Sequence, residues 1–172
     1  MPPARHRRLR RDESQAQTRQ ALLDAGARLF DERGFLATSI SDIADEAGYT
    51  TGALYSNFAS KEDLFLAICE GDCEAVIAEL RDLLAAAPTA ADRLEVVRAW
   101  HLGFVDKRRE RTRAIAEFSI LVHRNEASRA RLRALAVRVH GAVTSLFEQQ
   151  QDELGIRFRL PPPVLATAVL AM

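Results

Sequence analysis

Two cysteines in 172 residues give no framework for a disulfide-stapled fold. Cys69 and Cys73 lie four apart and lack the paired spacing of a zinc site. An oxidant-sensing role for them stays open, beside the commoner reading of inert thiols. No apolar run approaches the roughly 20 residues of a membrane span. The arginine-rich start is followed by polar residues, not by the apolar core of a signal peptide. A phosphate-cradling glycine loop, a nucleophile elbow and paired catalytic carboxylates are also missing. His101, His123 and His140 share no metal-ligand spacing. Strand pairs, internal repeats and long linkers are absent too. What remains is an all-α chain, 48% hydrophobic, long enough to bury a core in one or two small domains. Cytoplasm is the expected location, and no cofactor, metal or membrane partner is expected.

Charge is balanced at 24 basic and 24 acidic residues, so the whole molecule offers no argument for a nucleic-acid partner. Its distribution does. Arg5, Arg7, Arg8, Arg10 and Arg11 precede the first acid, Asp12, whereas residues 12–60 carry Arg19, Arg28 and Arg33 against eight carboxylates. Two readings of the tail, residues 1–13, stand together. It is an arm that contacts phosphates or the minor groove, or a disordered basic segment that only solubilises.

Periodicity organises the rest of the chain. Leu22, Ala25, Gly26, Leu29 and Phe30 recur at helical spacing and predict a first helix over about 14–33, with Gly34 just past its end. Ser39 with Asp42 three residues on is a capping box in which Asp replaces the usual Glu. Thr50 is a natural N-cap for a short helix over 51–57. Ser60 with Asp63 repeats the pattern and opens a fourth. Between the second and third, Gly48 suits a tight turn with a left-handed backbone. Ala44 is small where two helices would cross, and Ile43 and Leu54 supply the apolar contact. The segment Ser39–Phe58 therefore reads as a helix-turn-helix, against the alternative of an ordinary helical hairpin.

In such motifs the N-terminal residues of the second helix meet base edges in the major groove. Here those are Thr50, Thr51, Gly52 and Ala53. Threonine hydroxyls donate or accept, and Thr or Ala methyls pack on thymine methyls. The helix carries no Arg or Lys, so the bidentate arginine–guanine contact is absent from it. Lys61, at a helix N-terminus, makes a good phosphate seat.

The run from Thr18-Arg19 through Leu22, Ala25, Leu29-Phe30, Gly34-Phe35 and Thr38 resembles the TetR family of one-component transcriptional repressors. The resemblance continues with Asp42-Ile43-Ala44, Ala47-Gly48, Gly52, Leu54-Tyr55, Phe58 and Ser60-Lys61-Glu62, ending at Leu64. It covers about the first third of the chain. It implies base-reading positions at Ser41 and Thr51 and phosphate-contacting ones at Ser39, Tyr55, Asn57 and Lys61. Packing is the alternative for Tyr55, and helix capping an additional role for Ser39. It further implies a three-helix DNA-binding domain, taken here as residues 14–66. A helical ligand-binding and dimerisation domain over 67–172 would follow. The implied partners are double-stranded operator DNA, a small-molecule inducer and a second copy of the chain in a homodimer. The protein would be nucleoid-associated when DNA-bound.

Beyond Leu64 the pattern predicts a helix to about Ala86 and a break at Pro88. Another helix runs from Thr89 to about Val105, before a charged turn at 107–113. Helices over about 112–123 and 132–154 come next, then Pro161-Pro162-Pro163, then a helix from Val164. The sequence VLATAVLAM ends inside an apolar helical run, from which truncation relative to the gene product is expected. Candidates for an oily pocket with sparse polar groups are Trp100, Phe104, Phe118, Val122, His123, His140, Thr144 and Phe147. Core packing is the competing reading for each. Arg124, Arg129, Arg131, Arg133 and Arg138 could form a second nucleic-acid surface, but read better as a solvated helix face, since Leu132, Leu135 and Val139 take the other side. Two rivals to a ligand-responsive repressor remain, a regulator without a pocket and an all-helical enzyme.

Overall fold

The computed structural model describes residues 4–107, 109–122 and 125–170, and their regular structure is entirely α-helical. The helices are α1 (Ala4–Ala37), α2 (Ile40–Glu46), α3 (Thr51–Asn57), α4 (Lys61–Ala86), α5 (Ala90–Lys107), α6 (Arg109–Val122), α7 (Glu126–Leu154) and α8 (Pro162–Leu170). The short helices start where their caps predict. Ser39 and Asp42 form a reciprocal capping box on α2, and the Thr50 hydroxyl accepts from the Ala53 amide on α3. Thr89 and Asp92 make the same reciprocal bonds at the start of α5.

The helix read over about 132–154 begins six residues earlier, at Glu126, and two further segments differ from the sequence reading. The backbone of residues 4–13 is helical and continuous with α1, where a disordered arm was the expectation. Arg, Ala, Leu and Glu are good helix formers, and extending an existing helix avoids the cost of nucleation. The side chains of the first twelve residues lie outside the described residues. Residues 109–113, expected in a turn, form the first turn of α6 for the same reason of propensity.

The chain divides into two compact units. One takes in the chain up to Ile68 together with Arg109–Ser128; the other takes in Cys69–Arg108 and the chain from Arg129 onward. The first therefore holds α1–α3, the start of α4 and α6, so it is larger than a domain ending at residue 66. Its centre is four phenylalanines. Phe65 meets Phe30 edge-on at 5.0 Å between centroids, and Phe118 of α6 lies 5.2 Å from Phe35 and 5.0 Å from Phe65. Each such pair adds about 0.5–1.5 kcal/mol beyond area burial. Around them Leu22, Ala25, Ile43, Leu54 and Leu64 are fully buried.

Polar contacts hold α6 to α1 as well. The guanidinium of Arg111, itself buried, pairs with Asp31 through Nε and, at 2.8 Å, through Nη2. Arg113 donates to the Asp31 and Glu32 carbonyls. In the second unit, Glu70 of α4 accepts from Arg131 of α7 at 2.9–3.0 Å and lies 3.5 Å from Arg138. His140 Nε2 lies within hydrogen-bond distance of the Pro163 carbonyl and the Thr167 hydroxyl on α8.

Truncating Phe118 tests whether α6 belongs to the first unit's core. Phe118→Ala is expected to cost about 3–5 kcal/mol, read as a lower urea midpoint at an unchanged slope. An unchanged midpoint would show that α6 packs there without contributing.

Candidate nucleic-acid interface and ligand cavity

The geometry of the helix-turn-helix begins at a break in α1. Gly34 sits at φ 85°, ψ 171°, a backbone open to glycine and strained for other residues. The break frees backbone groups, and side chains from three directions take them up. Buried Thr38 donates its hydroxyl to the Gly34 carbonyl at 2.8 Å and reaches the Leu29 carbonyl at 3.2 Å. Lys61 Nζ donates to the carbonyls of Phe35 and Thr38, both at 2.9 Å, and lies 4.4 Å from the centre of the Phe35 ring. Glu117 of α6 accepts from the Leu36 amide at 2.9 Å. A Cβ on Gly34 would stand 2.7 Å from that carboxylate, which would have to shift, so the backbone conformation is what reserves the position for glycine.

From this corner α2 and α3 are set down. Gly48, at φ 74°, makes the turn between them, and the Tyr49 amide donates to the Ala44 carbonyl at 2.9 Å. Ile43, Ala44 and Leu54 are fully buried at the crossing. Arg19 ties the far end of α3 to α1, donating to the Asn57 carbonyl at 3.0 Å with its guanidinium 4.2 Å from the centre of the Phe58 ring.

The candidate DNA-contacting residues separate into free and occupied groups. Ser41, Thr51, Gly52 and Tyr55 are exposed, Tyr55 at 58%, which argues against the packing reading of its ring. Ala53 is half-buried beside them. The Thr50 hydroxyl is the α3 cap, and Ser39 donates its hydroxyl to Asp42 at 2.6 Å, so both have internal work. Asn57 donates its amide to the Ala53 carbonyl. Lys61 spends two of its three donors on the α1 corner, leaving one for a phosphate. Burial lowers its pKa, opposed by the charges of Glu62 and Glu117. Gln15, Thr18, Tyr49 and Ser56, none of them named as a site residue from the sequence, line a polar cleft between α1 and α3 with Ala53 and Asn57. Thr18 within the family pattern was the signal available for them.

The pocket candidates scatter. Phe118 and Val122 are buried in the first unit. Trp100 and His140 are half-buried on α5 and α7. The Thr144 hydroxyl oxygen is buried with no hydrogen-bond partner. Among the described candidates only Phe147 lines the half-open apolar cavity of about 160 Å³ in the second unit, formed by α4, α5, α7 and Phe158. The Phe104 side chain and His123 lie outside the described residues. Arg93 and Gln150 were missed. Both lie on otherwise apolar helical stripes, Arg93 before Val97 and Gln150 between Leu146 and Leu154, and that interruption was the readable signal.

Residues 22–68 match the family model described as bacterial regulatory proteins, tetR family. Over these residues the chain carries a domain of the TetR family. It is 39% identical over 77 residues to the transcriptional repressor KstR2 of Mycobacterium tuberculosis, a match covering 45% of this chain and 38% of that protein. The chain thus matches about two fifths of the length of this curated relative. A regulator structure from Rhodococcus superposes with a TM-score of 0.73 at 20% identity, covering 90% of this chain and 78% of the other. The regulator FadR of Bacillus subtilis, in complex with stearoyl-CoA, gives 0.64 at 18% identity, covering 88% and 81%. No helix among the described residues is long and apolar enough to cross a membrane.

The capping box yields a pH prediction. Hydrogen bonds from the Ser39 hydroxyl, then from its amide, hold the Asp42 carboxyl below its ordinary value. A depressed folded pKa contributes stability that is complete above the unfolded value, about 3.9. That contribution is lost as pH falls through the folded value. The Ser39 amide resonance should therefore titrate below the ordinary aspartate range, and Asp42→Asn should abolish that titration. A midpoint at or above about 4 in the wild type would contradict the bond.

Proposed function

We propose that the protein is a ligand-responsive transcriptional repressor. It binds a palindromic operator as a homodimer and is released by a small hydrophobic inducer. The observation that carries the reading is the braced α2–α3 pair, which holds Thr51, Gly52 and Tyr55 exposed on one short helix with a buried reverse side. Ser41 and Thr51 read bases in this account, helped by Thr50, Gly52 and Ala53. Ser39, Tyr55, Asn57 and Lys61 hold phosphates. A twofold dimer fits successive major grooves about one turn apart. The residues 1–11 add phosphate or minor-groove contacts, which compensates for the acidic balance of residues 12–60.

The inducer acts through α4. This helix contributes its first residues, to Ile68, to the DNA-binding unit and the remainder to the unit that contains the cavity. A ligand that favours a different setting of α4 favours the non-binding state, and the coupling is reciprocal: operator weakens inducer by the same factor. Apolar walls in the second unit support a hydrophobic inducer and tell against a regulator with no pocket.

Fluorescence anisotropy of labelled DNA from the gene's own upstream region tests the interface. Thr51→Ala with Tyr55→Phe should weaken specific binding by about tenfold or more and leave the fold intact by circular dichroism. Equal affinity for operator and scrambled duplex in the wild-type dimer would remove the reading. Deleting residues 1–11 should flatten the salt dependence by about 0.9 in log–log slope for each phosphate no longer neutralised. An unchanged slope would leave that segment a solubilising role.

A further inference from the structure

The cavity of the second unit specifies its ligand more narrowly than a hydrophobic pocket would. Leu84, Val97, Val143, Leu146, Phe147 and Phe158 supply its walls. Among the described residues the one charged side chain at it is Arg93, and that charge is already answered within the fold. Arg93 donates Nε to the Ala87 carbonyl at 3.0 Å, and Nη1 both to the buried Gln150 side chain and, at 2.7 Å, to Glu153. Glu153 is itself fixed by Gln149 at 2.7 Å. An anionic ligand would meet a guanidinium whose charge Glu153 already balances, and a cationic one would meet the guanidinium itself. Either ion would lose its water against a lining whose exposed surface is almost wholly apolar.

Size narrows the class again. The half-open cavity, of about 160 Å³, is close in volume to the roughly 150 Å³ apolar cavity that takes benzene.

We infer that this cavity binds an uncharged apolar molecule of single-ring size, or the ring-sized end of a larger one, and rejects carboxylates of the same shape. The inference deepens the ligand-responsive reading by naming the ligand's chemistry. It differs in kind from the acyl-CoA held by the like-folded Bacillus subtilis regulator.

The test uses the full chain without DNA, so that its failure and the failure of the repressor reading are separable. Binding of 4-fluorotoluene is followed by its fluorine NMR line width, with 4-fluorobenzoate as the charged match. A dissociation constant of about 1 mM or tighter is expected for the first, as the size of the molecule allows. Binding about tenfold weaker or more is expected for the second. Leu146→Trp fills the cavity from its buried wall and should abolish binding. Should that variant lose its helical circular dichroism, Leu94→Trp, at the exposed rim, decides instead. Equal binding of both probes, no binding of 4-fluorotoluene at 10-fold above about 1 mM, or undiminished binding in the folded variants would overturn the inference. So would binding that fades as protein concentration rises, which would assign the cavity to a second copy of the chain. Binding that leaves operator affinity unchanged would support the site and count against the inducer role.

Discussion

The break in α1 at Gly34 is the constraint on which the DNA-binding unit depends. A helix interrupted in this way exposes carbonyls and amides, and each left dry and unpaired would cost about 1–3 kcal/mol. Thr38, Lys61 and Glu117 supply the missing partners from the next loop, from α4 and from α6. One local irregularity thus fixes the approach of three separate elements. The turn into α2, the start of α4 and the seat of α6 are mutually determined there. Phe35, one residue past the break, belongs to the aromatic cluster that the same elements enclose. Polar and apolar terms agree at this corner, the consistency that gives a fold a single answer.

Much of this was legible in the sequence because its signals are local. Caps at Ser39 and Thr50, the glycine at 48 and the 3.6-residue spacing of Leu22, Ala25 and Leu29 each act within one turn of chain. The seating of α6 was not legible. Arg111, Arg113 and Glu117 look like ordinary members of a charged segment, and their partners lie about eighty residues away. No periodicity reports a pairing over that distance. Lys61 shows the limit from another side. The family pattern marks it as a phosphate contact, whereas its position between two carbonyls and the Phe35 ring also gives it a structural role.

The second unit obeys different rules. Its helices are joined by paired charges, Glu70 with Arg131 and Arg93 with Glu153, set beside leucines and valines that leave a cavity. Close packing normally removes such space, because a void forfeits dispersion contacts on one side of every lining atom. Keeping it therefore costs stability, and a ligand that fills it restores those contacts. The sequence could name the apolar stripes but not the void, since an empty volume depends on how side chains from three helices fail to meet. Phe118 and Val122 illustrate the difficulty: they carry the same stripe signal and lie in a close-packed core instead.

In the proposed complex the chemistry of α3 sets how affinity is divided. Without Arg or Lys on that helix, each base contact is a threonine hydroxyl, a methyl or an exposed backbone, and none supplies the bidentate grip of arginine on guanine. A single head of seven helical residues would then discriminate weakly. Specificity would come from repetition across a twofold axis and from rigid placement, since a misplaced threonine reads nothing. Rigidity is what Arg19, Lys61 and the phenylalanine cluster provide from behind. The acidic balance of the surrounding residues would further suppress binding to arbitrary DNA, leaving the correct geometry as the principal source of attraction. On the proposed reading, a recognition helix of mild chemistry on a strongly braced support would follow from one requirement: a repressor released by a small molecule would have to hold its operator by geometry that the molecule can spoil.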